Sequence, residues 1–162
     1  MNLKRLLPLF LLPLALFACK KETDYQYEVD PVSVSAAGGD KTNQKTTVEF
    51  ISIAYADLFG TNIPQTKLVN LNTAYTSFGD KKVVEDLIIR NFLSDTAAVI
   101  PAALSVSGDT LLFVTNTYKK FYNREPNPFE QYFWRELIRR DANLSPRTIY
   151  YALMTSDEYR FY

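Results

Sequence analysis

One pattern of apolar residues occurs twice in this chain, and both copies have the spacing of a helix. In the first copy, Val48, Ile51, Tyr55 and Leu58 follow one another at intervals of three, four and three residues. That spacing places their side chains on one face of an α-helix. Residues of similar character recur 63 positions later, at Leu111, Val114, Tyr118 and Phe121. The chain is therefore predicted to contain a tandem repeat of one helical unit.

Further matches extend the repeat beyond this first helix. They pair Phe50 with Phe113, Phe59 with Tyr122, Pro64 with Pro126, Leu71 with Phe133, Tyr75 with Leu137, and Ser94-Asp95 with Ser156-Asp157. We expect repeat 1 to span about 46–95 and repeat 2 about 109–162. The segment between them contains Pro101 and Gly108, which disfavour a continuous helix.

Residues typical of helix ends divide each copy into three short helices. In repeat 1 we expect helices at about 46–59, 65–78 and 81–94, with Gly79 as a stop signal and Asp80 as an N-cap.

In repeat 2, three similar start signals are present. Asp109 and Ser145 are suitable N-caps, and the run Asn127, Pro128, Phe129, Glu130 combines an N-cap, a proline at the first helical position and a capping box. The second of these helices is expected to end near Arg139 and Arg140, whose positive charges suit a helix C-terminus.

The repeat predicts an all-α fold for residues 46–162, with about six short helices arranged as two tandem three-helix repeats packed as one bundle. Each copy is too small to bury a sufficient core alone, so we expect the copies to pack through their shared apolar faces. In repeat 2 we expect two sets of inward-facing residues. They are Phe129, Phe133 and Leu137 in the second helix, and Ile149, Ala152 and Leu153 in the third.

The first nineteen residues have the organisation of a secretory signal. Lys4 and Arg5 form a basic start, and an apolar run of twelve residues follows, from Leu6 to Phe17. This run is too short to span a bilayer, which takes about 20 residues. It ends in Leu16-Phe17-Ala18-Cys19, which resembles the lipobox of bacterial lipoproteins. The resemblance implies cleavage after Ala18 and acylation of Cys19, the only cysteine in the chain; the alternative is a short membrane anchor with an incidental cysteine.

The stretch 19–45 is polar, contains Gly38, Gly39 and Pro31, and is predicted to be a tether. In enterobacterial lipoproteins, an Asp directly after the acylated cysteine is a signal for retention in the inner membrane. Lys20 stands there in this chain, so attachment to the outer membrane is favoured, on the cell surface or the periplasmic face. The charged residues 20–24 are similar to a degenerate form of the surface-export signal of Bacteroidota lipoproteins, although an ordinary solvated tether explains them equally well.

Composition excludes several classes of function. The chain has 18 basic and 18 acidic residues, so it lacks the positive charge expected of a nucleic-acid-binding protein. It has no His and one Cys, which excludes the usual zinc sites and catalysis by Ser-His-Asp or Cys-His groups. The carboxylates are dispersed and form no calcium loop. We therefore expect no metal, no cofactor and no enzymatic activity.

Repeat 2 resembles the DUF4214 family and, more distantly, the helical linker domain of phycobilisomes. The shared pattern is an aromatic pair on one helix, an Arg-x-Pro turn, a helix with aromatics and Trp, and a closing Ser-x-Glu-Tyr. It is formed here by Phe113, Tyr118, Tyr122, Arg124, Pro126, Trp134, Ser156, Glu158 and Tyr159. The family's glycine after the turn is replaced by Phe129-Glu130. The resemblance implies an all-α envelope domain that takes part in protein–protein scaffolding.

Five residues are candidates for binding. Arg124 is suited to clamp an acidic partner, or alternatively to satisfy a helix end or pair with Glu158. Trp134 is suited to anchor a partner, or alternatively to fill the core edge. The remaining candidates are the aromatics Tyr151, Phe161 and Tyr162 near the C-terminus. We expect a lipid-anchored protein that docks another envelope protein; the alternative is a module that binds glycan or peptidoglycan.

Overall fold

The computed structural model describes residues 41–104 and 109–161. The predictions for the signal peptide, Cys19, most of the tether and Tyr162 lie outside these residues. The described part contains six α-helices and one 3-10 helix. The α-helices are α1 (Thr47–Phe59), α2 (Gln65–Ser77), α3 (Lys81–Ser94), α4 (Thr110–Tyr122), α5 (Pro128–Arg140) and α6 (Pro146–Met154), and the 3-10 helix is Glu158–Arg160. The predicted all-α fold of six short helices is confirmed, and no strand occurs among these residues.

The predicted N-caps form as expected. Asn127 accepts a hydrogen bond from the Glu130 backbone N–H, and the Glu130 carboxylate accepts one from the Asn127 N–H, which completes the capping box of α5. Asp80, Asp109 and Ser145 cap α3, α4 and α6 through their side chains. Each side chain satisfies backbone N–H groups that have no partner within the helix.

The helix ends show the repeat at the level of the backbone. The first helix of each copy ends in a left-handed residue, Gly60 at φ 67° and Asn123 at φ 52°, and these two are 63 positions apart. Gly and Asn are the residues that adopt this conformation most readily.

Helix α2 stops just before Gly79, as predicted, but the glycine is not left-handed. Phe78 is the C-cap in an extended conformation. The Lys81 ammonium donates hydrogen bonds to the Tyr75 and Phe78 carbonyls, both at 2.7 Å, and so satisfies this helix end without a left-handed glycine.

The buried face of the first helix is wider than predicted. Ile51 and Leu58 are fully buried, and Phe50 and Ala54 join them, whereas Val48 is 44% exposed. The equivalent positions of α4 behave alike, since Phe113, Val114 and Phe121 are buried in the same core. A helix in contact with several neighbours needs an apolar stripe of this width rather than a single row.

The prediction that Phe129 and Phe133 face inward is wrong. Their exposed fractions are 72% and 48%, while Trp134, on the other side of α5, is 8% exposed. Trp134 packs toward α4, with Leu137 and Ile138 beside it, and its indole N–H donates to the Tyr118 hydroxyl at 2.9 Å. The larger side chain that also finds a hydrogen-bond partner sets the rotation of α5.

The inward face of α6 also differs from the prediction in one residue. Ile149 and Leu153 are buried as expected, but Ala152 is exposed, and Tyr150 and Met154 complete the buried face. The reason is that α6 packs against both α3 and α4. Two consecutive residues in each turn are therefore buried, Ile149 with Tyr150 and Leu153 with Met154.

All described residues belong to one compact unit, as the packed-pair prediction requires. The repeats meet where α3 packs on α6 and where Tyr159 reaches α1. The predicted pairing through Tyr55 and Tyr118 is wrong in this detail. The Tyr55 ring packs on Phe59 and Phe92, and Tyr118 packs on Tyr122 and bonds to Trp134, each within its own repeat.

Tyr159 joins the two repeats at the centre of the core. Its ring is completely buried and lies edge-on to Phe50 of α1 and Phe121 of α4, with ring centroids 6.0 and 5.9 Å away. Its hydroxyl donates to Asp57 at 2.7 Å. The closing Tyr of the sequence pattern thus contacts both copies.

The end of the predicted tether is docked on the domain. The Lys45 backbone N–H donates to the Arg160 carbonyl at 2.8 Å, and Gln44 forms an isolated antiparallel bridge with Phe161. The Lys45 side chain is buried, and its ammonium donates to the Tyr159 carbonyl. Residues 41–45 therefore lie beside the C-terminal turn.

Candidate functional site

Arg124 is held in a network of carboxylates at the start of α5. Its guanidinium donates to both carboxylate oxygens of Glu130 at 2.7 and 2.8 Å, and to both of Glu158 at 2.7 Å. Hydrogen bonds to Glu130 and then to Glu158 raise the pKa of Arg124. Both forks of the guanidinium are occupied, so the pairing with Glu158 considered from the sequence is present, and a second carboxylate completes it.

Trp134 and Tyr118 form a buried polar contact inside repeat 2. The Tyr118 hydroxyl accepts the indole N–H, and burial raises the pKa of Tyr118 to about 12. Trp134 is part of the core, which is the second of the two roles considered for it. Because Trp134 faces α4, it determines which side of α5 is exposed to solvent.

Tyr151 lies across the contact between α3 and α6. Its hydroxyl donates to the Asp86 carboxylate and accepts from Arg90 at 2.5 Å, while Arg90 also pairs with Asp86 at 2.7 Å. The hydrogen bond from Tyr151 lowers the pKa of Asp86. This half-buried side chain therefore links repeat 2 to repeat 1, and its hydroxyl is already hydrogen-bonded within the protein.

Phe161 is half-buried and lines two grooves, one on each side of the C-terminal turn. Tyr162, the remaining aromatic candidate, lies outside the described residues, as does Cys19. The structure thus places Arg124 just before α5 and Trp134 at the centre of that helix, whereas Tyr151 lies on α6.

The outer face of α5 carries aromatic side chains in water. Phe129, Tyr132 and Phe133 are 72%, 63% and 48% exposed, and their spacing of three and four residues places them on one face. In the C-terminal half of the same face, Glu136 pairs with Arg139 at 2.8 Å and with Arg140 at 3.1 Å. We name these six residues the α5 outer face.

The helix that carries this face is fixed at its first turn and at its centre. The capping box and Arg124 hold its first turn, and Trp134 holds its centre against α4. Presenting large aromatic side chains on a fixed helix loses little conformational entropy when a partner binds. Aromatic residues and Arg are also the residue types enriched at protein interfaces.

A second apolar surface lies between α2 and α3. It is a shallow groove of about 290 Å³ lined mainly by apolar side chains, with Asp80 and Asn91 at its edge. Phe78, Val83 and Leu87 are the exposed members of its lining. It belongs to repeat 1, so each copy presents an apolar surface of its own.

Neither metal binding nor membrane spanning is indicated in the described ranges. Within residues 41–104 and 109–161, no three acidic or sulfur side chains are placed to hold a metal ion. None of the helices in these ranges combines the length and the apolar character needed to cross a bilayer.

Comparisons with protein-family models, with curated proteins and with solved structures found no match to the chain. The likeness of repeat 2 to the DUF4214 family stays a prediction from the sequence.

The sequence pattern missed the α5 outer face because α5 has two apolar sides. Phe129, Phe133 and Leu137 follow one helical row, and Trp134 and Ile138 follow another. Either row is a reasonable core face by spacing alone. The second apolar row was itself a signal, since a helix that packs mainly on one neighbour, here α4, leaves one of two such rows exposed.

Proposed function

We propose that this chain is a lipid-anchored protein of the bacterial envelope, and that its helical domain docks another protein through the α5 outer face. The proposal joins two parts. The lipobox-like Cys19 supplies attachment to the outer membrane, and the exposed aromatics supply the contact with a partner.

The observation that supports docking most directly is the exposure of Phe129, Tyr132 and Phe133 on a fixed helix. Leaving three adjacent aromatic rings in water forgoes burial energy of about 25 cal/mol for each Å². Contiguous exposed apolar surface with a charged rim is characteristic of interaction sites. The paired Glu136, Arg139 and Arg140 form such a rim.

The experiment compares two variants that lose similar numbers of exposed apolar side chains. The first carries Phe129→Ser, Tyr132→Ser and Phe133→Ser. The control carries Val48→Ser, Val69→Ser and Val99→Ser, which are 44%, 50% and 61% exposed and lie elsewhere. Both are produced as full-length lipoproteins in the native host, and circular dichroism verifies that each keeps its helices.

Each protein is cross-linked in intact cells, and the cross-linked species are identified by mass spectrometry. We expect the wild type and the control to capture the same envelope protein, and the α5 variant to lose it by at least tenfold. Equal capture by the α5 variant would refute docking through this face. Retention of peptidoglycan fragments that depends on the α5 aromatics, without a protein partner, would support the glycan alternative instead.

The anchor has its own test. In the variant Cys19→Ser, the precursor should stay uncleaved and should incorporate no radiolabelled palmitate. Normal processing and labelling of this variant would exclude Cys19 as the lipid site, while leaving the docking surface untested by that result.

A further inference from the structure

A groove of about 570 Å³ beside the C-terminal turn gathers positive charge from two parts of the chain. We name it the lysine groove. Lys41 and Lys45 come from the segment before α1, and Lys120 and Arg124 come from the end of α4. Ile53, Phe121, Tyr122 and Phe161 supply apolar walls. It shares no residue with the α5 outer face.

Two lysines of the groove, Lys45 and Lys120, share one nearby carboxylate, Asp57. Arg124 is fully paired with Glu130 and Glu158, and Lys41 shares Glu158 at a longer distance of 3.5 Å. Glu49 also lines the groove and takes part in the N-terminal capping box of α1. Asp57 attracts both Lys45 and Lys120, and it already accepts the Tyr159 hydroxyl.

Burial and mutual repulsion make these ammonium groups costly to keep charged. Burial lowers the pKa of Lys41 and of Lys120, and Arg124 also lowers that of Lys41. Burial, with a smaller contribution from repulsion by Lys41, lowers the pKa of Lys45 to about 8. An anion placed among the three ammonium groups relieves this cost.

Lys120 shows most clearly where such an anion belongs. Its ammonium lies 5.4 Å from the centre of the Tyr150 ring and donates no hydrogen bond to the described residues. Its neighbour Lys119 behaves differently, since it is exposed and pairs with Glu125 at 2.8 Å. One turn of α4 thus carries one lysine that is paired in solvent and one that lines the groove.

We propose that the lysine groove binds the phosphate group of a small phosphate ester, held by Lys41, Lys45 and Lys120. A phosphate carries up to two negative charges and three acceptor oxygens, so it satisfies several ammonium groups together. The groove is much larger than one phosphate group, and its apolar walls have room for the attached alcohol or glycerol portion. The same chemistry occurs in soluble phosphate esters and in lipid headgroups.

The test measures the melting midpoint of the full-length protein in detergent while phosphate replaces chloride at constant ionic strength. A ligand that binds only the folded state raises the midpoint, and the rise grows with the logarithm of the ligand concentration above Kd. Inorganic phosphate and glycerol 3-phosphate are the two probes. Tighter binding of glycerol 3-phosphate indicates an ester or a headgroup, and tighter binding of inorganic phosphate indicates the free ion. A midpoint that neither probe raises would overturn the proposal.

Matched variants locate the site. Lys120→Met should weaken the apparent affinity at least tenfold, Lys120→Arg should retain it, and the control Lys119→Met should change it less than twofold. Asp57→Asn should tighten binding severalfold, because it removes the opposing carboxylate while keeping an acceptor for Tyr159. Equal losses in the Lys119 and Lys120 variants, or weaker binding by the Asp57 variant, would contradict the assignment.

Discussion

At the scale of single residues, several polar side chains are buried with one specific partner each. The indole of Trp134 bonds to the hydroxyl of Tyr118, and the hydroxyl of Tyr159 bonds to Asp57. A buried donor that loses its acceptor costs more free energy than the hydrogen bond itself contributes. These contacts therefore give sharp predictions for stability.

The substitution Tyr118→Phe keeps the packing of the ring and removes the acceptor of the Trp134 N–H. We expect the free energy of unfolding to fall by about 1–3 kcal/mol. Trp134 is the only Trp of the chain, so its fluorescence during urea unfolding reports the change directly. The control Tyr132→Phe alters an exposed ring and should leave the midpoint unchanged. Equal effects of the two substitutions would show that the buried hydrogen bond contributes nothing.

Lys45 predicts a dependence of stability on pH. Its pKa is lowered to about 8 in the folded protein, chiefly by burial, from 10.5. Between these values the unfolded chain holds a proton that the folded protein has lost, so stability rises with pH across this window. Below pH 8 both states hold this proton, so the buried ammonium lowers the free energy of unfolding by an amount that no longer changes with pH.

The difference in unfolding free energy between wild type and Lys45→Met isolates this contribution from that of other groups. It should shift in favour of the wild type between pH 8 and 10.5, by on the order of 3 kcal/mol in total. Urea titrations at intervals across the window measure it. A difference that stays flat would mean that Lys45 has an ordinary pKa.

At the scale of helices, the boundaries were predictable and the rotations were less so. A cap is local chemistry, so Asn127 and Glu130 identify the start of α5 without reference to the rest of the fold. The rotation of α5 about its axis depends on whether Trp134 or Phe133 packs against α4. Trp134 does so because its indole N–H bonds to the hydroxyl of Tyr118, which is 16 residues away in the sequence. The candidate surface followed from the rotation and was missed for the same reason.

The capping box of α5 should be necessary for a stable outer face. Asn127→Ala removes the acceptor for the Glu130 N–H and should cost about 1 kcal/mol of stability. Because the first turn carries Phe129, fraying should also speed amide hydrogen exchange in residues 129–131. Asp109→Ala, which removes the cap of α4, is the control and should leave exchange in α5 unchanged. Unchanged exchange in the Asn127 variant would indicate that Arg124 alone holds this turn.

At the scale of the whole molecule, the two repeats form one unit because each completes the other. Helix α3 of repeat 1 covers α6 of repeat 2, and Tyr159 of repeat 2 takes its acceptor, Asp57, from repeat 1. The tandem repeat itself was readable from the sequence. The contacts between the copies were readable only in part: Phe50 of α1 and Phe121 of α4 meet at Tyr159, but the packing of α3 on α6 lies outside the matched faces of α1 and α4.

Residues 109–162 expressed alone should therefore not fold cooperatively. The fragment keeps the Tyr118–Trp134 contact but exposes the side of α6 that packs on α3, and units this small are seldom stable alone. Thermal unfolding followed by Trp134 fluorescence should be broad, whereas residues 41–162 should melt sharply. A sharp transition of the fragment at the midpoint of the longer chain would establish two independent domains.

The pairing of Gln44 with Phe161 has a consequence for chain connectivity. The segment before the first helix and the turn after the last one lie side by side, so a short linker between them would close the domain into a ring. New ends opened between Leu104 and Asp109 would then place repeat 2 ahead of repeat 1 in the gene. Such a circular permutant can keep every helix contact described above, so we expect it to fold as one unit whichever copy is translated first.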